Sequence, residues 1–218
     1  IIIFISFISI SYTQTEDEFS LSFDGINDYV EIDIHNPGGE NFNQFSTHDG
    51  LTISAWIKLH DLNGIKTIIE NGNQKGFLFA VSQGELNAYI QNENGWSNIY
   101  GGPSLEINQW YFVTLTYSQG SMKLYQNGIL INETNNSSGN IVDNDGNLWI
   151  GANHDYGNYF NGLIDGVSIY PYEIDQNAIN NAMLSPLHDT QVAHWSFGAG
   201  QGETVTESWG WGPSGIIY

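Results

Sequence analysis

The chain contains no cysteine and no arginine, and only four of its 218 residues are lysine. Without cysteine there is no disulfide framework, so a chain of this length must be stabilised by a hydrophobic core. Nucleic-acid-binding proteins draw their affinity from lysine and arginine, and the scarcity of both therefore argues against a nucleic-acid partner. The 24 acidic residues leave a net charge of −20, which favours cations as ionic partners.

Long hydrophobic runs are also scarce, and the one at the start of the chain covers residues 1–11 with the sequence IIIFISFISIS. It is shorter than the roughly 20 residues that span a bilayer, and polar residues follow it, as in a signal peptide. We therefore expect residues 1–18 to be a signal-peptide remnant and linker of a chain that starts further upstream. This predicts a secreted or cell-surface protein without a transmembrane span.

Hydrophobic and polar residues alternate along most of the chain from Phe19 onward. In residues 51–58, LTISAWIK, every second side chain is aliphatic, as in a strand with one face on a core. The pairs at 83–84 and 127–128, QG and NG, are typical of tight hairpin turns. Only residues 173–183 have the spacing of a helix. These patterns predict an all-β fold, a two-sheet antiparallel β-sandwich with one short peripheral helix.

Six segments occur in an order that resembles a known family: LSFDGINDYVEI, LTISAWIK, NQWYFVTLTY, MKLYQNGILI, LWIGA and FNGLIDGVSIY. Together they resemble the laminin-G-like, concanavalin A-like lectin-glucanase jelly-roll domain, which is related to the pentraxins. The resemblance implies a jelly roll over residues 19–190. Residues 191–218 resemble a segment that either completes such a domain or opens a following repeat, so we expect further domains in the full-length chain.

The resemblance also implies a structural calcium ion, Ca²⁺, that ties the FDG segment to the IDGVSIY strand. Asp24 and Asp165 would bind it, and Gly25 and Asp28 would contribute further oxygens. Calcium needs six to eight oxygen ligands, so carbonyls and water would complete such a site. An alternative without an ion is equally open, in which Asp24 caps its turn and Asp165 accepts hydrogen bonds from backbone amides.

Similarity to the pentraxins points to two loops, residues 70–74 and 151–159, as a ligand site. The oxygens in these loops would bind calcium or ligand directly, and an aromatic ring would stack on a sugar. Trp96, in the glycine-flanked segment NENGWSN, is the best candidate for a further exposed platform. The predicted ligand-binding residues are Asn71, Asn73, Trp96, Asn153, Asp155, Tyr156 and Tyr159.

A possible catalytic strand is EIDIHN, residues 31–36, because Glu31, Asp33 and His35 share one face of an extended chain. The arrangement resembles the EIDIxE strand of sandwich glycosidases, in which Glu31 would be the nucleophile. Glycoside hydrolysis also needs a carboxylic acid as proton donor, and His35 does not provide one. We therefore assign no catalytic residue.

Three functions follow from these patterns. The favoured prediction is a non-catalytic module that binds a glycan or a cell-surface protein through its loops. The alternatives are a glycoside hydrolase of the sandwich glucanase type and a structural spacer in a large adhesin. The fold by itself does not choose among them.

Overall fold

The protein is a sandwich of two antiparallel β-sheets with one helix on an outer face. The computed structural model describes residues 20–34, 50–72, 76–118, 120–142, 146–185, 193–195, 197, 204–205 and 214–218. The predicted all-β sandwich with a single short helix is therefore confirmed for this part of the chain.

In each sheet the described strands pair antiparallel, and hairpin neighbours are combined with strands that are distant in sequence. Sheet A contains, in spatial order, β1 (Leu21–Asp24), β12 (Asn161–Tyr170), β3 (Gly50–Leu59), β8 (Trp110–Ser118), β9 (Gly120–Gln126) and β10 (Ile129–Ser137), with β13 (Ala193–Trp195) also paired to β12. Sheet B contains β14 (Thr204–Val205), β15 (Gly215–Ile217), β2 (Val30–Ile32), β11 (Leu148–Ile150), β4 (Ile65–Asn71), β5 (Phe77–Ser82), β6 (Glu85–Asn92) and β7 (Gly95–Gly101).

The main core lies between the sheets and follows the predicted alternation. In β3 the aliphatic side chains at 51, 53, 55 and 57 are completely buried in this core. On the opposite face of β3, Thr52 and Ser54 are buried as well, because the chain that follows β12 crosses the strand there. The hydroxyl of Thr52 donates to the carbonyl of Tyr172 (2.8 Å) and accepts from the backbone N–H of Ile174 (3.0 Å).

Helix α1 (Gln176–Leu184) packs on this outer face of sheet A through Ile179, Ala182 and Met183. It begins three residues later than the sequence pattern predicted. Asp175 caps it by accepting a hydrogen bond from the N–H of Ala178 (2.8 Å), a standard way to satisfy a free helix N-terminus. Among the described ranges, no helix is long and apolar enough to cross a membrane.

The C-terminal segments pair with both sheets. β13 runs antiparallel to the end of β12, with Trp195 opposite Val167. β15 runs antiparallel to β2 in sheet B, so the end of the chain lies beside one of the first strands of the domain. The Trp195 side chain is fully buried in the core between the sheets. These three C-terminal residues, 193–195, therefore contribute directly to the packing of the sandwich.

The hairpin turns have the geometry that their residues favour. Gln83 and Gly84 have φ angles of 52° and 83°, and Asn127 and Gly128 have 51° and 73°. Positive φ at both central residues is the type I′ arrangement, which matches the twist of the flanking strands. The turns predicted at 83–84 and 127–128 are thus confirmed.

Candidate functional site

A continuous row of residues crosses the outer face of sheet B. Directly opposite residues in paired strands share a face of the sheet, so the register defines this row. It consists of Ile216, Glu31, Trp149, Glu70, Leu78, Tyr89 and Asn98, one from each of seven adjacent strands. The row carries two glutamates and two aromatic residues on a surface that the helix does not cover.

Beside Glu70, Leu78 and Tyr89 of this row, a cavity of about 430 Å³ opens on the protein surface. This size lies within the range of pockets that bind small ligands. We call it the aromatic groove, and its walls are formed by Glu70, Gly72, Phe77, Leu78, Tyr89, Trp96, Asn153, Asp155 and Tyr156. Trp96 is 53% exposed and Tyr156 is 74% exposed, so both offer ring surface to a ligand.

Glu70 forms the polar floor of the aromatic groove and is only 5% exposed. One carboxylate oxygen accepts a hydrogen bond from the side-chain amide of Asn153 (2.7 Å), and the other accepts from the backbone N–H of His154. Burial raises the pKa of Glu70 to about 7, although the hydrogen bond from His154 opposes this change. The carboxyl group therefore changes charge near neutral pH.

The loop above Glu70, residues 153–157, is held by hydrogen bonds to the side chain of Asn153 in addition to those that Glu70 accepts. The side-chain oxygen of Asn153 accepts from the backbone N–H groups of Asp155 (3.1 Å) and Tyr156 (3.0 Å). The backbones of Asn153 and Gly157 exchange two hydrogen bonds and close the loop. Asp155 and Tyr156 are thus held at the rim of the groove by hydrogen bonds to Asn153, which is itself held by Glu70 of β4.

The structure brings most of the predicted ligand-binding residues together. Trp96, Asn153, Asp155 and Tyr156 all line the aromatic groove. Asn71 instead donates to the carbonyl of Gly146 (3.0 Å), and Tyr159 packs against Gly157 outside the lining. Asn73 lies outside the described residues. Trp96 belongs to an edge strand, β7, that the sequence pattern did not identify as a strand.

Sequence reasoning did not name Glu70 or Tyr89 as a ligand-binding residue, although Glu70 opens the loop that was predicted at 70–74. Tyr89 follows a readable signal, because its neighbours in ELNAYIQ alternate between polar and apolar. Glu70 ends the strand pattern KTIIE, and nothing in the surrounding sequence indicates that it is buried. Its burial depends on a loop that lies more than 80 residues further along the chain.

Glu31 lies in the same row but is separated from Glu70 by Trp149. The Trp149 ring stacks on Tyr29 with centroids 4.2 Å apart, and it lies nearly perpendicular to the His154 ring with centroids 5.0 Å apart. Glu31 itself accepts a hydrogen bond from the side-chain amide of Asn147 (2.8 Å). Across two strand spacings, the two glutamate backbones are roughly 10 Å apart, with an indole between them. His35, the third member of the proposed catalytic strand, lies outside the described residues.

The predicted calcium ligands are held by backbone contacts around the turn after β1 and within β12. Asp24 accepts from the N–H of Ile26 (2.7 Å) and Asp28 accepts from the N–H of Asp24 (2.8 Å). Gly25 has a φ of 79°, which this turn requires. Asp165 accepts from the N–H of Gly166 (2.7 Å) and is buried.

The register keeps Asp24 and Asp165 apart. Asp24 pairs with Asn161, and Asp165 lies four residues further along β12, roughly 13 Å away at the rise of a β-strand. Two ligands of one calcium ion each lie at about 2.3–2.6 Å from it, so these carboxylates do not fit one shared ion. Within the described part of the chain, no group of three or more His, Asp or Glu side chains converges on a metal position. Calcium binding stays a prediction from the family resemblance, and the separation of Asp24 and Asp165 does not support it.

Removal of calcium by a chelator tests the prediction of a structural calcium ion. Because the predicted ligands do not converge, we expect a chelator to leave the melting temperature of the protein unchanged. An ion bound at about 100 times its dissociation constant would contribute about 2.7 kcal/mol, and its loss would lower the melting temperature by roughly 5–10 °C. Thermal unfolding with and without chelator measures the difference. A fall of that size, removed by Asp165→Asn, would show that the ion is bound.

Comparisons with known proteins identify relatives in sequence and fold. A laminin G family model, described as the concanavalin A-like lectin/glucanases superfamily, matches residues 24–180. Botulinum neurotoxin type X of Clostridium botulinum is 33% identical over 147 residues, which are 62% of this chain and 11% of the toxin. The chain thus spans only a small part of that relative.

Two solved structures share the sandwich. A crystal structure of a candidate carbohydrate-binding protein from Bacteroides ovatus has a TM-score of 0.72 at 18% identity, over 91% of this chain and 57% of that chain. A SAP-like pentraxin from Limulus polyphemus has a TM-score of 0.59 at 18% identity, over 77% of this chain and 82% of that chain. At these identities the likeness shows the common fold.

Proposed function

The chain belongs to the concanavalin A-like lectin/glucanases superfamily, and we propose that it is a non-catalytic glycan-binding module of a larger extracellular protein. The observation that carries the proposal is the aromatic groove, where exposed rings surround a polar floor. Sugar rings present apolar C–H faces and polar hydroxyl edges, so a site that binds them combines aromatic faces with hydrogen-bonding groups. The groove offers both on one surface.

The arrangement of the groove supports binding without bond cleavage. Both oxygens of Glu70 are engaged by N–H groups of the loop, and the glutamate thereby positions Asp155 and Tyr156. Such a prearranged site reduces the ordering cost of binding. The extracellular assignment is supported by the predicted signal-peptide remnant. It is also consistent with the similarity to a neurotoxin and to a candidate carbohydrate-binding protein.

Replacement of Trp96 tests the proposal. We expect Trp96→Ala to weaken the binding of any recognised glycan at least about tenfold, or ~1.4 kcal/mol, because central aromatic contacts dominate such sites. Titration calorimetry against a panel of neutral, amino and acidic oligosaccharides measures the loss.

A matched control is available on the same strand. Tyr100 is 64% exposed on β7, two register positions beyond Asn98, and lies outside the groove lining. Tyr100→Ala should therefore retain the affinity of the unchanged protein. Equal losses in the two variants, or no glycan binding at all, would exclude the groove as a glycan site and would favour the spacer alternative.

The glycosidase alternative has one observation in its favour, the raised pKa of Glu70 beside Asp155 in the same cavity. A carboxyl group with a raised pKa and an ionised partner is the pairing that glycoside hydrolysis uses. We expect no reducing ends to be released from the oligosaccharides that bind. Release that is abolished by Glu70→Gln would instead identify a hydrolase.

A further inference from the structure

The aromatic groove is acidic as well as aromatic. Glu70 lies on its floor and Asp155 at its rim, and the charge of Asp155 is close enough to raise the pKa of Glu70. The Asp155 carboxylate contacts the ring of its neighbour His154 at 3.2 Å between Oδ1 and Nδ1. A ligand that enters the groove therefore meets two carboxyl groups next to aromatic faces.

Cationic side chains are placed elsewhere in the described part of the chain. Lys66, four residues before Glu70 in β4, is outside the groove lining and pairs with Asp61 (3.4 Å), and Lys123, in β9 of sheet A, pairs with Glu173 (2.7 Å). Lys58 lies in β3, also in sheet A. The remaining lysine, Lys75, lies outside the described residues, and the chain has no arginine. Sugars with carboxylate or sulfate groups would thus approach the negative charge of Asp155, a Glu70 that is partly ionised near neutral pH and a protein of net charge −20.

A positively charged ligand fits the same surroundings. An ammonium group donates charge-assisted hydrogen bonds to carboxylates and is attracted to the faces of tryptophan and tyrosine rings. Trp96, Tyr89 and Tyr156 supply such faces around Glu70 and Asp155. Both types of contact are available within one cavity.

We infer that the aromatic groove selects glycans that carry a free amine, such as oligomers of glucosamine, over the corresponding neutral, acetylated and acidic sugars. The inference rests on the proposed function and adds a ligand class to it. It requires the carboxylates and the rings to act together on one sugar unit.

Three β-1,4-linked oligosaccharides of equal length provide the test because they differ only at carbon 2. Cello-oligosaccharide has a hydroxyl group there, chito-oligosaccharide an acetamido group, and its deacetylated form an ammonium group. At a physiological salt concentration of about 0.15 M the Debye length is about 8 Å, so the net charge of the distant surface is largely screened. We expect the ammonium form to bind about tenfold more tightly than the hydroxyl form.

Two variants separate the groove from the overall charge. Asp155→Asn removes a carboxylate at the rim, and the hydrogen bond from its backbone N–H to Asn153 does not depend on the side chain. Glu85→Gln makes the same change in net charge at the start of β6, outside the groove lining and roughly 13 Å along the strand from Tyr89. The preference for the amine should fall at least about threefold in Asp155→Asn and persist in Glu85→Gln.

The outcomes distinguish this inference from the proposed function. If the hydroxyl form binds as tightly as the ammonium form and both depend on Trp96, the groove is a glycan site without amine selectivity and the inference is wrong. Equal losses of preference in Asp155→Asn and Glu85→Gln would also overturn it, because net charge would then explain the effect. If none of the three oligosaccharides binds, or if their affinity does not change in Trp96→Ala, both the inference and the proposed function are wrong.

Discussion

The free energy of unfolding of Glu70→Gln, relative to that of the unchanged protein, should increase by about 3 kcal/mol between about pH 4 and pH 8. A glutamate in the unfolded chain titrates near 4.5, whereas burial raises the pKa of Glu70 in the folded protein to about 7. Between these values the folded protein holds a proton that the unfolded chain has lost. The glutamate's stabilising contribution is therefore complete below pH 4.5 and is lost as the pH rises through 7.

The variant removes this titration and leaves the other acidic residues in place. In Glu70→Gln the side-chain NH₂ group replaces one acceptor oxygen and faces the N–H of Asn153 or of His154, with which it cannot form a hydrogen bond. This lowers the free energy of unfolding by an amount that does not change with pH. Urea unfolding at several pH values measures the difference between the proteins. Glu70→Met has no donor and should give the same pH dependence with a different offset. A difference that stays constant with pH in both variants would show that Glu70 is not a buried titrating group.

The second large effect is expected for Trp195→Ala, which should lower the free energy of unfolding by about 3–5 kcal/mol. Trp195 is the largest fully buried side chain of the core, and β13 holds it against β12. Truncation to alanine removes many packing contacts and leaves a cavity between two close-packed sheets.

Urea unfolding followed by far-UV circular dichroism measures this loss without depending on tryptophan fluorescence. Trp96→Ala is the matched control, because the same chemical change at an exposed position should cost no more than about 0.5 kcal/mol. If Trp195→Ala does not fold, Trp195→Phe should fold with a smaller loss. Equal stabilities of the Trp195 variants and the unchanged protein would show that residues 193–195 do not belong to the cooperative unit, as the alternative in which residues 191–218 open a following repeat predicts.

The alternation of residues was sufficient to predict the architecture. The aliphatic side chains at alternate positions of β3 have nowhere to be buried except against a second sheet, and the I′ turns place successive strands beside each other. The helix was also predictable, but its start was not. Glu173 was assigned to the helix and instead pairs with Lys123 in β9, a contact 50 residues away in sequence.

The candidate site was predicted in part. Trp96 was identified because an aromatic residue in a glycine-flanked polar segment is readable in sequence, whereas Asp155 and Tyr156 were identified through the resemblance to the pentraxins. The prediction that Asp24 and Asp165 are joined depended on family resemblance, and the strand register places them in different parts of the β1–β12 ladder. Register is a property of paired strands, and a shift of one residue changes every neighbour of a side chain.

The sequence alone therefore determined the class of fold, the acidic character of the protein and the exposed aromatic residues, because period, charge and local turns are properties of neighbouring residues. Tertiary structure alone decided that Glu70 is buried, that it supports the loop of Asp155 and Tyr156, and that Trp149 separates it from Glu31. Glu70 and its loop are more than 80 residues apart along the chain. Only the closed sandwich brings them within hydrogen-bonding distance and removes the carboxyl group from water.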